Sequence, residues 1–172
     1  MRHYKSGVKS TDHYNTPLEA WEDILQFVPK TTTLWLPFYN DGSAKDLLDS
    51  IGYDTVHRDE DFFHSDYKHL VIDNPPYSIK KRILQKLACR GRPFALLLPM
   101  DVLQTKYIRQ YAGFMQIVIP NQRYNFVKNS SNVPFKSAWF CFRMSNWLKT
   151  NEQLIFLWDY TFIYCLYDDG VP

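Results

Sequence analysis

Short runs of nearly uninterrupted apolar residues, spaced by stretches of helical periodicity, limit what this chain can become. Leu34-Trp35-Leu36, His69 to Ile72, Pro93 to Leu98 and Met115 to Ile119 show no clean alternation of polar and apolar positions. Strands of that kind need cover on both faces, the condition of a mostly parallel sheet between helices. Thr55-Val56-His57 reads as a further short strand. Between the runs lie segments with apolar residues at helical spacing. They are Leu18, Trp21, Ile24, Leu25 and Val28; Ala44, Leu47, Leu48 and Ile51; and Ile79, Ile83, Leu84 and Leu87. Thr16 with Pro17 starts the first helix and Pro29 closes it, while Ser43 caps the second and Gly52 stops it. A helix is expected over Leu103 to Tyr111, a polar loop over 121–136, and an aromatic-rich strand over Ser137 to Met144. Leu154 to Leu166 supplies one or two more strands. The class is α/β.

With 172 residues and 45% hydrophobic content, residues 1–172 read as one domain with a sizeable core. Residues 1–12 form a basic arm and 145–172 a C-terminal extension. No apolar run approaches the roughly 18 residues that cross a bilayer, and MRHYKSGVKS lacks a signal-peptide core. A soluble, intracellular protein with no membrane partner is expected. The three cysteines and five histidines show no metal-ligand spacing, so no metal is expected.

In doubly covered sheets, ligands bind beyond the carboxyl ends of the strands. Two turns lie there, one after Leu36 and one after Ile72. The second reads Asp73-Asn74-Pro75-Pro76-Tyr77. An amine attacking an electrophilic methyl must direct its lone pair at that methyl. The amide oxygen of Asn74 and the carbonyl of Pro75 can each accept one amine hydrogen and favour a pyramidal nitrogen. Pro75 and Pro76 fix the backbone so that the acceptors are prepositioned, and Tyr77 offers a flat face to a planar group. A base inside a duplex would have to be flipped out to reach it.

This turn resembles the catalytic signature (Asn/Asp/Ser)-Pro-Pro-(Tyr/Phe/Trp) of class I S-adenosylmethionine-dependent amino-methyltransferases. The order of the surrounding motifs resembles Dam-like and phage DNA adenine methyltransferases. The resemblance implies a Rossmann-like fold with S-adenosylmethionine as cofactor. It implies catalytic roles for Asn74, Pro75, Pro76 and Tyr77. Tyr14 and Thr16, in Tyr14-Asn15-Thr16-Pro17, would help hold the methionine part. Pro37, Asp41 and Gly42 stand in the family's cofactor turn, where Asn40 replaces a glycine and tolerates left-handed geometry. Asp59 would bond the ribose, with Glu60 the other candidate, and Asp61 with Phe62 would hold and cover the cofactor's adenine.

The implied acceptor is the 6-amino group of adenine, with DNA preferred. Arg123, Tyr124, Phe126 and Lys128 mix cations and aromatics as a nucleic-acid contact would. Lys80 heads a basic helix with Lys81, Arg82, Lys86, Arg90 and Arg92 that could track phosphates. The net charge of +2 decides nothing, because local patches govern such binding. No segment is long enough for a separate target-recognition domain, which leaves loose specificity, a homodimer or a partner subunit open. The same chemistry serves adenine or guanine in RNA, or a protein glutamine. A non-catalytic subunit of this shape that binds nucleic acid or a partner is the remaining alternative.

Overall fold

A computed structural model describes residues 15–126 and 136–157. In chain order the elements are α1 (Leu18–Leu25), β1 (Leu34–Trp35), α2 (Ser43–Ser50), β2 (Thr55–Val56), β3 (Leu70–Asp73), α3 (Lys80–Arg90), β4 (Phe94–Pro99), β5 (Met115–Ile119), β6 (Ser137–Phe142), α4 (Ser145–Leu148) and β7 (Leu154–Phe156). The strands form one sheet in the order β2-β1-β3-β4-β6-β5-β7. Strands β2, β1, β3 and β4 run parallel, and β7 runs parallel to β5. Strand β6 inserts antiparallel between β4 and β5, with Leu96 opposite Phe140 and Ile117 opposite the same residue. This is the mostly parallel, Rossmann-like sheet that the apolar runs require.

Every residue of β3, β4 and β6 is buried. Period-two alternation divides them between two cores. Leu34, Ile72, Leu97, Trp139 and Cys141 point to one face, where Trp21 and Ile24 of α1 and Leu48 of α2 cover them. Trp35, Val71, Leu96, Leu98 and Phe140 point to the other, under Ile83, Leu84 and Leu87 of α3. Uninterrupted apolarity was therefore a statement about two-sided burial.

Two elements depart from the sequence reading. Leu103 to Tyr111 is not an α-helix: the chain makes 3₁₀ turns over Met100–Gln104 and Arg109–Phe114. Thr105 between them is extended, and its hydroxyl donates to the Val102 carbonyl at 2.6 Å. Only Val102 and Ile108 are buried there, a spacing that gives a helix no continuous apolar face. Helix α1 stops at Leu25, and Phe27 and Val28 donate three residues back, which tightens the turn before Pro29. Of the last predicted strands, 154–156 forms β7, and 158–166 lies outside the described residues. No helix of the described residues is long and apolar enough to cross a membrane.

Candidate active site

The connections reverse direction between β1 and β3: β1 leads outward to β2, while β3 leads the other way to β4. A crevice opens where neighbouring strands part in this way. It is a cleft of about 290 Å³. Its walls are Asn15, Thr16 and Trp21 at the start of α1, Phe38 to Asp41 after β1, Ser43, Ala44 and Leu47 of α2, and Asp73 and Asn74 at the end of β3.

Asp73 joins the two turns. Its Oδ2 accepts the Phe38 backbone N–H and its Oδ1 the Asn74 N–H, both at 2.8 Å. Burial pushes its carboxyl well above the ordinary carboxylate range, and the two N–H groups offset this only in part. Asn74 follows with a half-buried side chain whose Oδ1 is shut off from solvent and accepts no hydrogen bond. Buried polar atoms of this kind are rare and need a reason. Pro75 and Pro76 are buried, Pro76 is extended (φ −62°, ψ 117°), and Tyr77 opens a 3₁₀ turn leading into α3. Tyr77 is half-buried against the core beneath α3.

The turn after β1 is held by amides. Asn40 lies at φ +45°, the left-handed geometry expected of it. Its side chain donates to Asn15 Oδ1 at 2.9 Å, and Asn15 Nδ2 donates to Asp41 Oδ2 at 3.0 Å. The other oxygen of Asp41 accepts both the backbone N–H and the hydroxyl of Ser43, at 3.0 and 2.7 Å. The Ser43 hydroxyl is the main reason that the Asp41 carboxyl sits below its usual range. Gly42 (φ +88°), not Ser43, is the N-cap of α2. A Cβ on Gly42 would lie 2.9 Å from the Tyr39 hydroxyl. Likewise Pro17, not Thr16, is the N-cap of α1, and no side chain caps it. Beneath the turn, His57 Nδ1 lies 2.8 Å from the Leu36 carbonyl oxygen, and the His57 ring stacks on Tyr39 at 4.9 Å. A carbonyl only accepts, so the proton sits on Nδ1, and burial holds His57 below its ordinary value.

The acidic segment after β2 is built differently from its sequence reading. Asp59 is exposed, and neither it, Asp61 nor Phe62 is part of the cleft wall. Asp61 folds its own turn: one oxygen accepts the Phe63 N–H at 2.9 Å and the other contacts His64 Nδ1. Glu60 accepts the Tyr67 hydroxyl at 2.9 Å. The Phe62 ring is 1% exposed, packed among Trp35, Phe38 and Phe63, so it presents no face to a ligand. Pro37 is buried under the turn and lies outside the cleft wall.

Several cations of α3, and Arg92 just beyond it, are also engaged. Lys86 Nζ donates to the Phe62 carbonyl at 2.8 Å and lies over the Phe62 ring. Arg90 bonds the Ser65 carbonyl and lies 4.8 Å from the Trp35 ring centre. Arg92 pairs with Asp66 at 3.0 Å, and Arg82 covers Phe63 at 4.5 Å. Lys86, Arg90 and Arg92 thus hold residues 62–67 in place, while Lys81 is exposed. Lys80 is half-buried, with Nζ 3.3 Å from the Tyr77 carbonyl. Tyr124 and Phe126 are core residues, 3% and 4% exposed, and the Tyr124 hydroxyl donates to Asp23 at 2.6 Å. Neither ring is available to stack on a base. Arg123 is exposed. Tyr14 and Lys128 lie outside the described residues. Among the described residues no cluster of three or more His, Cys, Asp or Glu could hold a metal.

Asp73, Trp21 and His57 had no assigned role in the sequence reading. A carboxylate closing an apolar strand was the available signal for Asp73. Nothing marked the other two, because an indole at helical spacing reads as core and a lone histidine as a strand end.

No family model matches the chain, and no curated protein matches its sequence. Among solved structures, it is similar to a dimethyladenosine transferase from Plasmodium falciparum, with a TM-score of 0.52 and 10% identity. The match covers 81% of this chain and 66% of that one, so the chain spans just under two thirds of its neighbour's length. The architecture is thus a Rossmann-like fold shared with that neighbour, with the cleft at its switch point.

Proposed function

We propose that this chain transfers a methyl group from S-adenosylmethionine to the 6-amino group of adenine in nucleic acid. The observation that carries the reading is the buried, unpartnered Asn74 Oδ1 on a cleft whose wall, among the described residues, carries the ionised Asp41 and no lysine or arginine. Such a cleft suits a cationic ligand, and the unmet acceptor suits an amine hydrogen. The cofactor would lie against Phe38 to Asp41 and the start of α1, where it supplies an electrophilic methyl on a sulfonium. Asn74 and the Pro75 carbonyl accept the two amine hydrogens and turn the nitrogen lone pair outward. Tyr77 stacks on the base. The amine sheds its proton after transfer, which requires no dedicated base. Asp59, Asp61 and Phe62 keep their proposed cofactor roles only through backbone groups or a rearranged loop, since their side chains do not face the cleft.

DNA is the preferred acceptor, from the order of the sequence motifs. The neighbour's name speaks of adenosine, a ribonucleoside, and so supports a second reading in which the acceptor is RNA. Transfer of a labelled methyl group to separate DNA, RNA and protein pools tests both. Label in DNA supports the first reading, label in RNA alone replaces it with the second, and label in protein alone or in none removes adenine methylation.

A further inference from the structure

Two tryptophans share the core beneath α1, and only one of them is satisfied. Trp139 Nε1 donates to the Ala20 carbonyl at 2.7 Å. Trp21 packs against it, with ring centres 5.6 Å apart, and is 1% exposed, yet its Nε1 has no hydrogen-bond partner. An indole N–H is only a donor, and leaving it unmet in a core is destabilising. A phenylalanine would fill much of this space without that cost. Trp21 differs from Trp139 in one respect that bears on this: it forms part of the cleft wall, as Thr16 and Asp41 do.

The unmet donor selects for an acceptor on the ligand. Helices α1 and α2 both begin at this cleft, and helix N-termini favour negative charge. With no lysine or arginine among the described residues of the wall, neutral donors there must meet an anionic group. Asp41, held ionised by Ser43, supplies the opposite sign. A donor and a carboxylate on one wall complement a zwitterionic amino-acid group. Resting on the methyl-donor reading above, we infer that the Trp21 indole N–H binds the carboxylate of the cofactor's methionine part. It thereby makes the cleft selective for ligands that carry that carboxylate. Because the N–H has already lost its water on folding, the bond formed there is not weakened by competing hydration.

Affinity for two ligands separates this role from simple packing. S-adenosylhomocysteine carries the amino-acid group, and 5′-methylthioadenosine lacks it. Trp21→Phe is expected to weaken the first by about tenfold, as for one charge-assisted hydrogen bond, and to leave the second within about twofold. Equal loss for both ligands, or loss for neither, overturns the inference. The indole ¹H–¹⁵N resonance of Trp21 in the unmodified protein gives a readout that does not depend on how the variant folds. It should shift with S-adenosylhomocysteine and stay in place with 5′-methylthioadenosine; a resonance unmoved by the first ligand overturns the assignment. Failure of the unmodified protein to bind S-adenosylhomocysteine at all overturns the methyl-donor reading itself.

Discussion

The backbone N–H of Phe38 donates to Oδ2 of Asp73 across 35 residues of sequence, at 2.8 Å. Through the same carboxyl, Asn74 is tied to the end of β3. One side chain therefore fixes the spacing between the turn after β1 and the Asn-Pro-Pro-Tyr turn. Asp73→Ala removes the acceptor of both N–H groups and is expected to lower stability by about 1–3 kcal/mol in urea denaturation. Asp73→Asn keeps one acceptor oxygen and should fall between. Equal stability of all three proteins would show that the bridge does not hold the turns.

Asn74 behaves in the opposite sense. Its Oδ1 has no partner to lose, so Asn74→Ala should leave the thermal midpoint within about 2 °C. Methyl transfer should drop by about 100-fold or more, the usual loss for one preorganised polar group. A variant that retains wild-type transfer would remove Asn74 from the reaction.

His57 makes the turn sensitive to acid. Its folded value is depressed below 6.5 by burial, with Lys45 adding to the shift and the Leu36 carbonyl and Asp41 opposing it. The unfolded chain takes up the proton at 6.5 while the folded chain resists it. The stabilising contribution is complete above 6.5 and is lost as pH falls through the folded value. Stability measured from pH 7.5 to 5 should decline less steeply in His57→Phe than in the wild type. Identical slopes would mean that His57 does not titrate against the fold.

Gly42 sits at φ +88°, with the Tyr39 hydroxyl 2.9 Å from where a Cβ would stand. Gly42→Ala is expected to cost about 1–3 kcal/mol and to weaken binding of S-adenosylhomocysteine, since Tyr39 must move from the cleft wall. Calorimetric titration showing unaltered affinity would separate this turn from the ligand site.

Tyr124→Phe tests the corrected role of the loop before residue 127. It removes the bond to Asp23, whose carboxyl burial already raises. The expected result is a loss of about 1–2 kcal/mol of stability with nucleic-acid affinity unchanged. A selective loss of nucleic-acid binding would restore the surface role.

The sheet was legible because a strand buried on both faces must be apolar throughout, as Leu70 to Ile72 and Phe94 to Leu98 are. The placement of the Asn-Pro-Pro-Tyr turn followed from the apolar strand before it and the amphipathic helix after it. What could not be read was the direction of side chains within polar loops. Tyr124 and Phe126 occupy a polar stretch, yet burial depends on what the rest of the fold brings beside them. The same holds for Phe62, an aromatic in an acidic loop that the core absorbs. The antiparallel insertion of β6 is a matter of long-range pairing, to which the local pattern of Ala138 to Phe142 is indifferent.

The fastening of residues 62–67 by α3 bears on how ionic strength would act on this protein. A cation that neutralises phosphate releases condensed counterions, and affinity then falls steeply with salt. Lys86, Arg90 and Arg92 are directed instead at carbonyls, rings and Asp66, where no polyelectrolyte stands to be discharged. The salt slope of nucleic-acid binding should therefore be shallower than the count of basic residues from Lys80 to Arg92 suggests. Whatever slope is observed reports on other cations, Arg123 and those on the exposed side of α3 among them.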